Sequence, residues 1–266
     1  MEIEQYTLVK SSIKKLLQIN LDHYKDEQMR RRLDSWLVRS GAPDWNEYFR
    51  RLRIDSHELS RFRDYLTINV SAFLRDIERW QALREDIFPE LLRAALSGPG
   101  GSTGLKIWSA GCSIGAEPYS LAMLLEELSP ARRHHILATD LDRSALARSR
   151  ARGPYTVDEV QNLSPLQRAN YLEPGGPPFF VKDRLVKRVE FREHDLLTAP
   201  FETGLDLIVC RNVVIYFTGE TKDLLYRKFQ QALRPGGILF VGATEIIPRP
   251  QEIGFRSSGI SFYRKA

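Results

Sequence analysis

Cysteine is scarce in this chain, and so are long apolar runs. Two cysteines stand among 266 residues, and no stretch reaches the ~20 apolar residues that cross a bilayer. Cys112 and Cys210 each sit at the end of an apolar, strand-like run, so buried free thiols are expected rather than a disulfide framework. The five histidines, His23, His57, His134, His135 and His194, have no ligand spacing with the cysteines, and no metal site is expected. The opening residues Met1-Glu-Ile-Glu-Gln5 lack the basic-then-apolar order of a secretory signal, which predicts a cytoplasmic protein without direct membrane insertion. No internal repeat, low-complexity tract or heptad seam is evident, and a monomer is expected. A net charge of +5 and a pI near 9.2 are mild, compatible with nucleic acid, an acidic protein surface or plain solubility.

What is present is concentrated in residues 105–125. A short apolar run, Leu105-Lys-Ile-Trp-Ser-Ala110, ends in a turn punctuated by Gly111 and Gly115. Beyond it, Tyr119, Leu121, Ala122, Leu124 and Leu125 recur at helical spacing. This predicts strand, loop and helix, the first turn of a doubly wound α/β sheet, where glycines leave room for a bound nucleotide. The third glycine of a dinucleotide fingerprint would fall at Pro118, preceded by the carboxylate Glu117. A carboxylate there repels a pyrophosphate and suits a cationic ligand such as S-adenosylmethionine. It would equally complement the helix dipole with no ligand at all. About 25 residues past the loop, the run His135–Thr139 ends in Asp140, placed to accept ribose hydroxyls or to cap a helix over Leu141–Ser149.

Residues 1–95 read as helical. Ile13, Leu16, Leu17 and Ile19–Leu21 form one apolar stripe, and Met29, Leu33, Trp36 and Leu37 form another. Gly41-Ala-Pro43 stops the second helix, and Asp44 caps a third carrying Trp45, Tyr48, Phe49 and Leu52. Arg30, Arg31 and Arg32 lie among further arginines, forming either a solvated face or a surface for an acidic partner. The Gly/Ser/Pro cluster at 96–104 reads as a linker between this domain and a second one at 105–266. Within the second domain, the turn-rich stretch 153–187 breaks the strand–helix alternation and reads as an inserted lobe. Strands then resume at Val189–Asp195 and Leu205–Phe217. A helix near Thr221–Leu233, a strand Ile238–Val241 and a last strand Gly259–Tyr263 close the chain.

Six segments together resemble the CheR-type chemotaxis receptor methyltransferases, a class I S-adenosylmethionine-dependent family. They are Asn69-Val-Ser-Ala-Phe-Leu-Arg75, Ile107–Ser120, Ala138-Thr-Asp140, Val189-Glu-Phe191, Cys210-Arg-Asn-Val-Val-Ile-Tyr-Phe217 and Leu233-Arg-Pro-Gly-Gly237. The Glu-Pro-Tyr-Ser and Cys-Arg-Asn runs are the specific signals. The resemblance implies a class I doubly wound sheet with a small β-subdomain near 153–187, preceded by an all-helical domain. It implies that Asn69, Ser71 and Arg75 reach over the cofactor, and that Glu117, Asp140, Asp195, Leu196, Arg211 and Asn212 line its pocket beside the glycine loop at Gly111. Ser71 stands where the family usually has threonine, Leu74 replaces a phenylalanine, and Asp195 occupies a position that is often asparagine. Only the last alters binding chemistry, because a carboxylate accepts hydrogen bonds but does not donate them.

The activity so implied is methyl transfer to glutamate carboxylates on chemoreceptor signalling helices, with S-adenosylhomocysteine as product. The expected partner is the receptor's cytoplasmic helical bundle, docked in part by Arg30, Arg31 and Arg32. Glutamate is already ionised at neutral pH, so the reaction needs no general base, and Arg75 and Tyr216 are the expected orienting groups. An Asp/Asn-Pro-Pro-aromatic loop would mark an amine-methylating relative; Cys210-Arg-Asn-Val-Val214 stands in its place, and no nucleic-acid partner is expected. A binding module that retains the pocket without catalysis is the alternative. The compact turn Glu173-Pro-Gly-Gly-Pro-Pro178 argues against a grip on a receptor tail.

Overall fold

The computed structural model describes residues 1–67, 71–97 and 104–266. Its chain divides into one unit of Met1–Ile68 with Val214–Asp223, and a second of Asn69–Val213 with Leu224–Ala266.

The first unit is built from four amphipathic helices. α1 (Ile3–Leu17) buries Tyr6, Val9, Ile13 and Leu17 at helical spacing, and left-handed Gln18 ends it. α2 (Asp26–Ser40) buries Met29, Leu33 and Trp36 and stops at left-handed Gly41. Asp44 caps α3 (Trp45–Ile54), accepting from the Glu47 N–H at 2.8 Å, and Asp55 caps α4 (Ser56–Leu66). The core is aromatic and its polar ends are satisfied: Trp36 Nε1 donates to the Tyr48 hydroxyl at 2.6 Å, which donates to Glu58 at 2.9 Å.

The three consecutive arginines do not form one face, because adjacent helical positions diverge. Arg30 donates to the Met1 carbonyl at 2.6 Å and lies over the Tyr6 ring, while Arg32 donates to the Tyr65 carbonyl and lies over the Tyr65 ring. Arg31 is exposed and pairs with Glu27. The apolar run after Cys210, expected as strand through Phe217, leaves the sheet and serves this unit instead. Val214–Tyr216 form a 3₁₀ turn, Lys25 N–H donates to the Tyr216 carbonyl at 3.0 Å, and the Tyr24 and Phe217 rings meet edge-on at 5.0 Å.

In the second unit, α5 (Ile77–Ala82) runs through a π-helical turn at Leu83–Ile87 into α6 (Phe88–Ser97). These helices, expected within an N-terminal domain ending at residue 95, group with the sheet. Trp80, Leu83, Ile87, Phe88 and Leu91 are buried in the same apolar cluster as the strands. The division therefore follows the cores rather than the glycine-rich composition at 96–104, of which residues 98–103 lie outside the described ones.

β1 (Lys106–Ala110), α7 (Ala116–Leu128), β2 (His135–Asp140) and α8 (Arg143–Arg150) open the doubly wound part. After the lobe, which holds α9 (Pro165–Tyr171) and α10 (Asp183–Val186), come β3 (Val189–Glu193), β4 (Leu205–Cys210), α11 (Gly219–Ala232), β5 (Leu233–Val241), β6 (Phe255–Ser257) and β7 (Phe262–Lys265). The seven strands are ordered β3-β2-β1-β4-β5-β7-β6, parallel through β5, with β7 antiparallel to both its neighbours. β4, Leu205-Asp-Leu-Ile-Val-Cys210, is buried at every position, as expected for a strand covered on both faces. In the lobe, strand pairing is limited among the described residues to the isolated bridges Tyr155↔Phe179 and Leu172↔Val181. The lobe is held to α7's loop by Tyr155, whose buried hydroxyl donates to the Ile114 carbonyl at 2.8 Å.

Candidate active site

The order of the sheet reverses between β1 and β4, and in such sheets ligands bind outside the carboxyl ends of the strands at that point. The loop after β1 is formed by backbone bonds: the N–H groups of Gly111 and Cys112 both donate to the Thr139 carbonyl, at 2.8 and 2.9 Å. Gly111 and Gly115 have φ of +86° and +85°, where a side chain is strained, and a Cβ on Gly115 would lie 2.7 Å from Ser149 Oγ. Gly115→Ala should lower stability by about 1–3 kcal/mol, read as a thermal midpoint several degrees below wild type. An unchanged midpoint would mean the loop is not held as described.

Asp140 closes this loop. Its carboxylate accepts the Ser113 N–H at 2.7 Å and the Asp142 N–H at 2.9 Å, and burial raises its pKa. The capping alternative for Asp140 is resolved by the structure. α8 begins at Arg143, and its cap is Asp142, which accepts from Ser144 and Ala145 at 2.9 and 3.0 Å. Asp195 and Leu196 follow β3, which pairs with β2 alongside Asp140. The Asp195 carboxylate accepts from the Leu197 N–H and the Thr198 hydroxyl, both at 2.9 Å, and the Leu196 carbonyl accepts from Lys228 at 2.8 Å.

Next to the glycine loop lies a buried charge network. Arg211, directly after β4, has a side chain 3 % exposed; one terminal nitrogen donates to the Arg75 carbonyl at 2.8 Å and to Asp76 at 2.7 Å. Its other terminal nitrogen is 3.9 Å from Glu117, and the guanidinium centre lies 4.8 Å from the Phe240 ring centroid. Burial lowers the Arg211 pKa, opposed by Glu117, Asp76 and Glu245. Glu117, 12 % exposed, accepts from the Ser109 hydroxyl at 2.8 Å. Burial pushes its pKa up to about 7; Arg211 and the Ser109 bond pull it down, while Glu245 adds to the rise.

The backbone around Arg75 is unusual. Leu74 and Asp76, on either side of it, both adopt left-handed φ, +49° and +62°. Such strain persists only where surrounding bonds impose it. Here Ser120 accepts the Leu74 N–H at 3.1 Å, and Trp80 Nε1 and Arg211 both donate to the Arg75 carbonyl, each at 2.8 Å.

Of the residues expected at the site, the structure joins Arg75, Glu117 and Arg211 in one network, and Gly111 with Asp140 in another. Asn212 is bound to Glu245 beside the first, and Ser71 is half-buried on the segment leading to Arg75. Tyr216 belongs to the first unit, and Asn69 lies outside the described residues. Ser109, Asp76, Trp80 and Glu245 were not expected. Asp76 carried a signal in its adjacency to Arg75, and Ser109 in lying within the Ile107–Ser120 segment. Both cysteines are free and buried, and burial raises their pKa values well above the ordinary thiol range, so neither is a poised thiolate.

Residues 69–263 match the family described as CheR methyltransferase, SAM binding domain, and residues 4–67 match CheR methyltransferase, all-alpha domain. The chain belongs to the CheR methyltransferase family. A chemotaxis protein methyltransferase of Listeria monocytogenes is 40% identical over 95% of this chain and 94% of its own length. The corresponding protein of Listeria innocua is also 40% identical over the same shares. Chemotaxis protein methyltransferase 1 of Pseudomonas aeruginosa is 32% identical over 91% of this chain and 90% of its own. The CheR family boundary between residues 67 and 69 falls where the two units divide. The protein is thus a methyltransferase of the chemotaxis family with an S-adenosylmethionine-binding domain, and no helix among the described residues is long and apolar enough to cross a membrane.

Proposed function

We propose that this protein, acting in the cytoplasm, transfers the methyl group of S-adenosylmethionine to glutamate carboxylates on the signalling helices of a chemoreceptor, leaving S-adenosylhomocysteine and a glutamate methyl ester. The observation that carries the cofactor's placement is the buried network at the carboxyl ends of β1 and β4. There the buried guanidinium of Arg211 is answered by Asp76 at 2.7 Å and by Glu117 at 3.9 Å, and Arg75 is a second cation acting on both Arg211 and Glu117. The buried carboxylate of Glu117 beside the glycine loop fits a ligand bearing a sulfonium and an ammonium, and disfavours a pyrophosphate.

When bound, S-adenosylmethionine supplies a methyl group on positively charged sulfur. Glu117 is placed to neutralise the ligand's cationic end, Asp140 to accept from the ribose hydroxyls, and Asp195 with Leu196 to border the adenine. Arg75, held by its strained backbone, orients the incoming carboxylate through charge-assisted hydrogen bonds. Catalysis is then positioning in a site shielded from water. Receptor docking falls to the helical unit. Within the Arg30–Arg32 run, Arg31 is the residue that would contribute, by exchanging its exposed pair with Glu27 for a partner carboxylate, because Arg30 and Arg32 are committed to backbone carbonyls. Transfer to a receptor's helical cytoplasmic fragment, with the added methyl located by mass spectrometry, tests the reading; label on residues other than glutamate would reject it.

The raised pKa of Glu117 has a defined pH signature. Its folded value, about 7, exceeds the ordinary 4.5. The empty protein therefore binds an extra proton between those values and loses stability as pH rises through that window. Cation binding has the opposite sign, since it requires the ionised form. Below pH 7, S-adenosylmethionine affinity should weaken by up to about tenfold per unit as Glu117 takes up its proton. Glu117→Gln should bind more weakly with that dependence removed. Calorimetry across pH 5.5–8.5 decides, and a pH-independent wild type would remove Glu117 from the cationic end.

A further inference from the structure

Glu245 lies on the turn that follows β5, and no motif in the sequence marks it. It is 5 % exposed, and one carboxylate oxygen accepts two backbone N–H groups, from Asn212 at 3.0 Å and from Gly242 at 2.5 Å. Those two residues follow the ends of neighbouring strands, β4 and β5, whose last pair is Cys210↔Val241. Asn212 is itself left-handed, at φ +60°, and immediately follows Arg211. We propose that Glu245 is a positioning residue for the cofactor site, its carboxylate tying the loops after β4 and β5 together so that Arg211 and Asn212 are presented in one fixed conformation.

The mechanism is acceptor geometry. Two N–H groups at strand ends point inward, and a buried donor left unmet is destabilising. A single oxygen between them satisfies both and imposes the left-handed turn at Asn212. The consequence passes to Arg211, whose guanidinium holds the Arg75 carbonyl and Asp76. Glu245 touches neither of the reacting groups in this account; it acts through the conformation of its neighbours. The inference rests on reading this end of the sheet as the S-adenosylmethionine site.

The test is calorimetric binding of S-adenosylhomocysteine, with steady-state transfer to a receptor fragment, for wild type, Glu245→Ala, Glu245→Gln and Glu245→Asp. Alanine removes the acceptor, and its Kd should rise at least tenfold, with KM for S-adenosylmethionine rising alike while kcat at saturation falls less than about threefold. Glutamine keeps an acceptor oxygen at the same reach, and its Kd should return to within about threefold of wild type. Aspartate is one methylene short of spanning both N–H groups and should fall between them, which keeps the inference testable if the alanine variant does not fold. Wild-type affinity in the alanine or aspartate variant, or a folded glutamine variant as weak as alanine, would overturn the positioning role. Failure of the wild type itself to bind would instead overturn the reading of the site.

Discussion

Replacing Arg211 by alanine is expected to destabilise the sheet-containing unit by about 3–5 kcal/mol, because one partner of a buried charge network is removed, and to abolish measurable S-adenosylmethionine binding. The side chain is almost fully enclosed, and its single guanidinium answers Asp76 at 2.7 Å, the Arg75 carbonyl at 2.8 Å and Glu117 at 3.9 Å. Without it, those carboxylates face one another in a poorly hydrated space. The nearest relief is proton uptake, which would drive the Glu117 pKa above its already raised value of about 7. Lysine should rescue little: an ammonium on a flexible stem does not reproduce a planar fork that reaches two acceptors on one side and a third on the other. Thermal melts and calorimetry at pH 8 measure both effects. An alanine variant with wild-type stability would show that the network is solvated and not a structural hub.

Arg75→Ala is expected to lower transfer by about 10²-fold at saturating cofactor, the scale of loss when a reacting group is no longer oriented. Its backbone is fixed independently of its side chain, by the Trp80 and Arg211 bonds to its carbonyl and by the Leu74 N–H on Ser120. The truncation should therefore leave the segment in place, with a change in melting set by the loss of its charge beside Arg211 and Glu117. That separation makes the variant informative: lost turnover with a retained fold and retained binding places Arg75 on the substrate. Normal turnover would remove it from the mechanism, and Trp80 and Arg211 would then be holding the strained segment for some other purpose.

The parts of this molecule that were legible in its sequence are those where local chemistry and global fold agree. Asp44 before Trp45, Gly41 after Ser40 and the glycine-flanked loop after Ala110 each state their role in the residue itself, and the structure uses them so. Asp140 was readable as a strand-end carboxylate, but the cap two residues on, Asp142, was not separable from it without knowing that α8 starts at Arg143. The run Val213-Val-Ile-Tyr-Phe217 was misleading because β-branched and aromatic residues favour strands wherever they fall. Here Val214–Tyr216 form a 3₁₀ turn and Phe217 packs edge-on against Tyr24, so the run leaves the sheet. The domain division was misplaced for a related reason. Glycine-rich composition reports local backbone freedom, whereas a domain is defined by a shared core, and Trp80, Leu83 and Phe88 share theirs with the strands.

The site was legible only in part. Glu117, Arg211 and Arg75 stand out through motif context, yet the features that make them a unit are long-range. Asp76 meets Arg211 across 135 residues, and Glu245 meets Asn212 across 33. Neither spacing follows a helical or strand period, so no pattern along the chain could reveal it. The three arginines at 30–32 show the converse. Their composition allows either a solvated face or a surface for an acidic partner; helical geometry splits them, and two donate to carbonyls within their own unit.

A transfer experiment identifies the methylated atom. The protein is incubated with methyl-labelled S-adenosylmethionine and the helical cytoplasmic fragment of a chemoreceptor, and the labelled fragment is then exposed to mild base. A carboxyl methyl ester hydrolyses and releases its label as volatile methanol, and this is the predicted result. Label that stays on the fragment through base treatment would place the methyl on nitrogen or carbon and contradict the account.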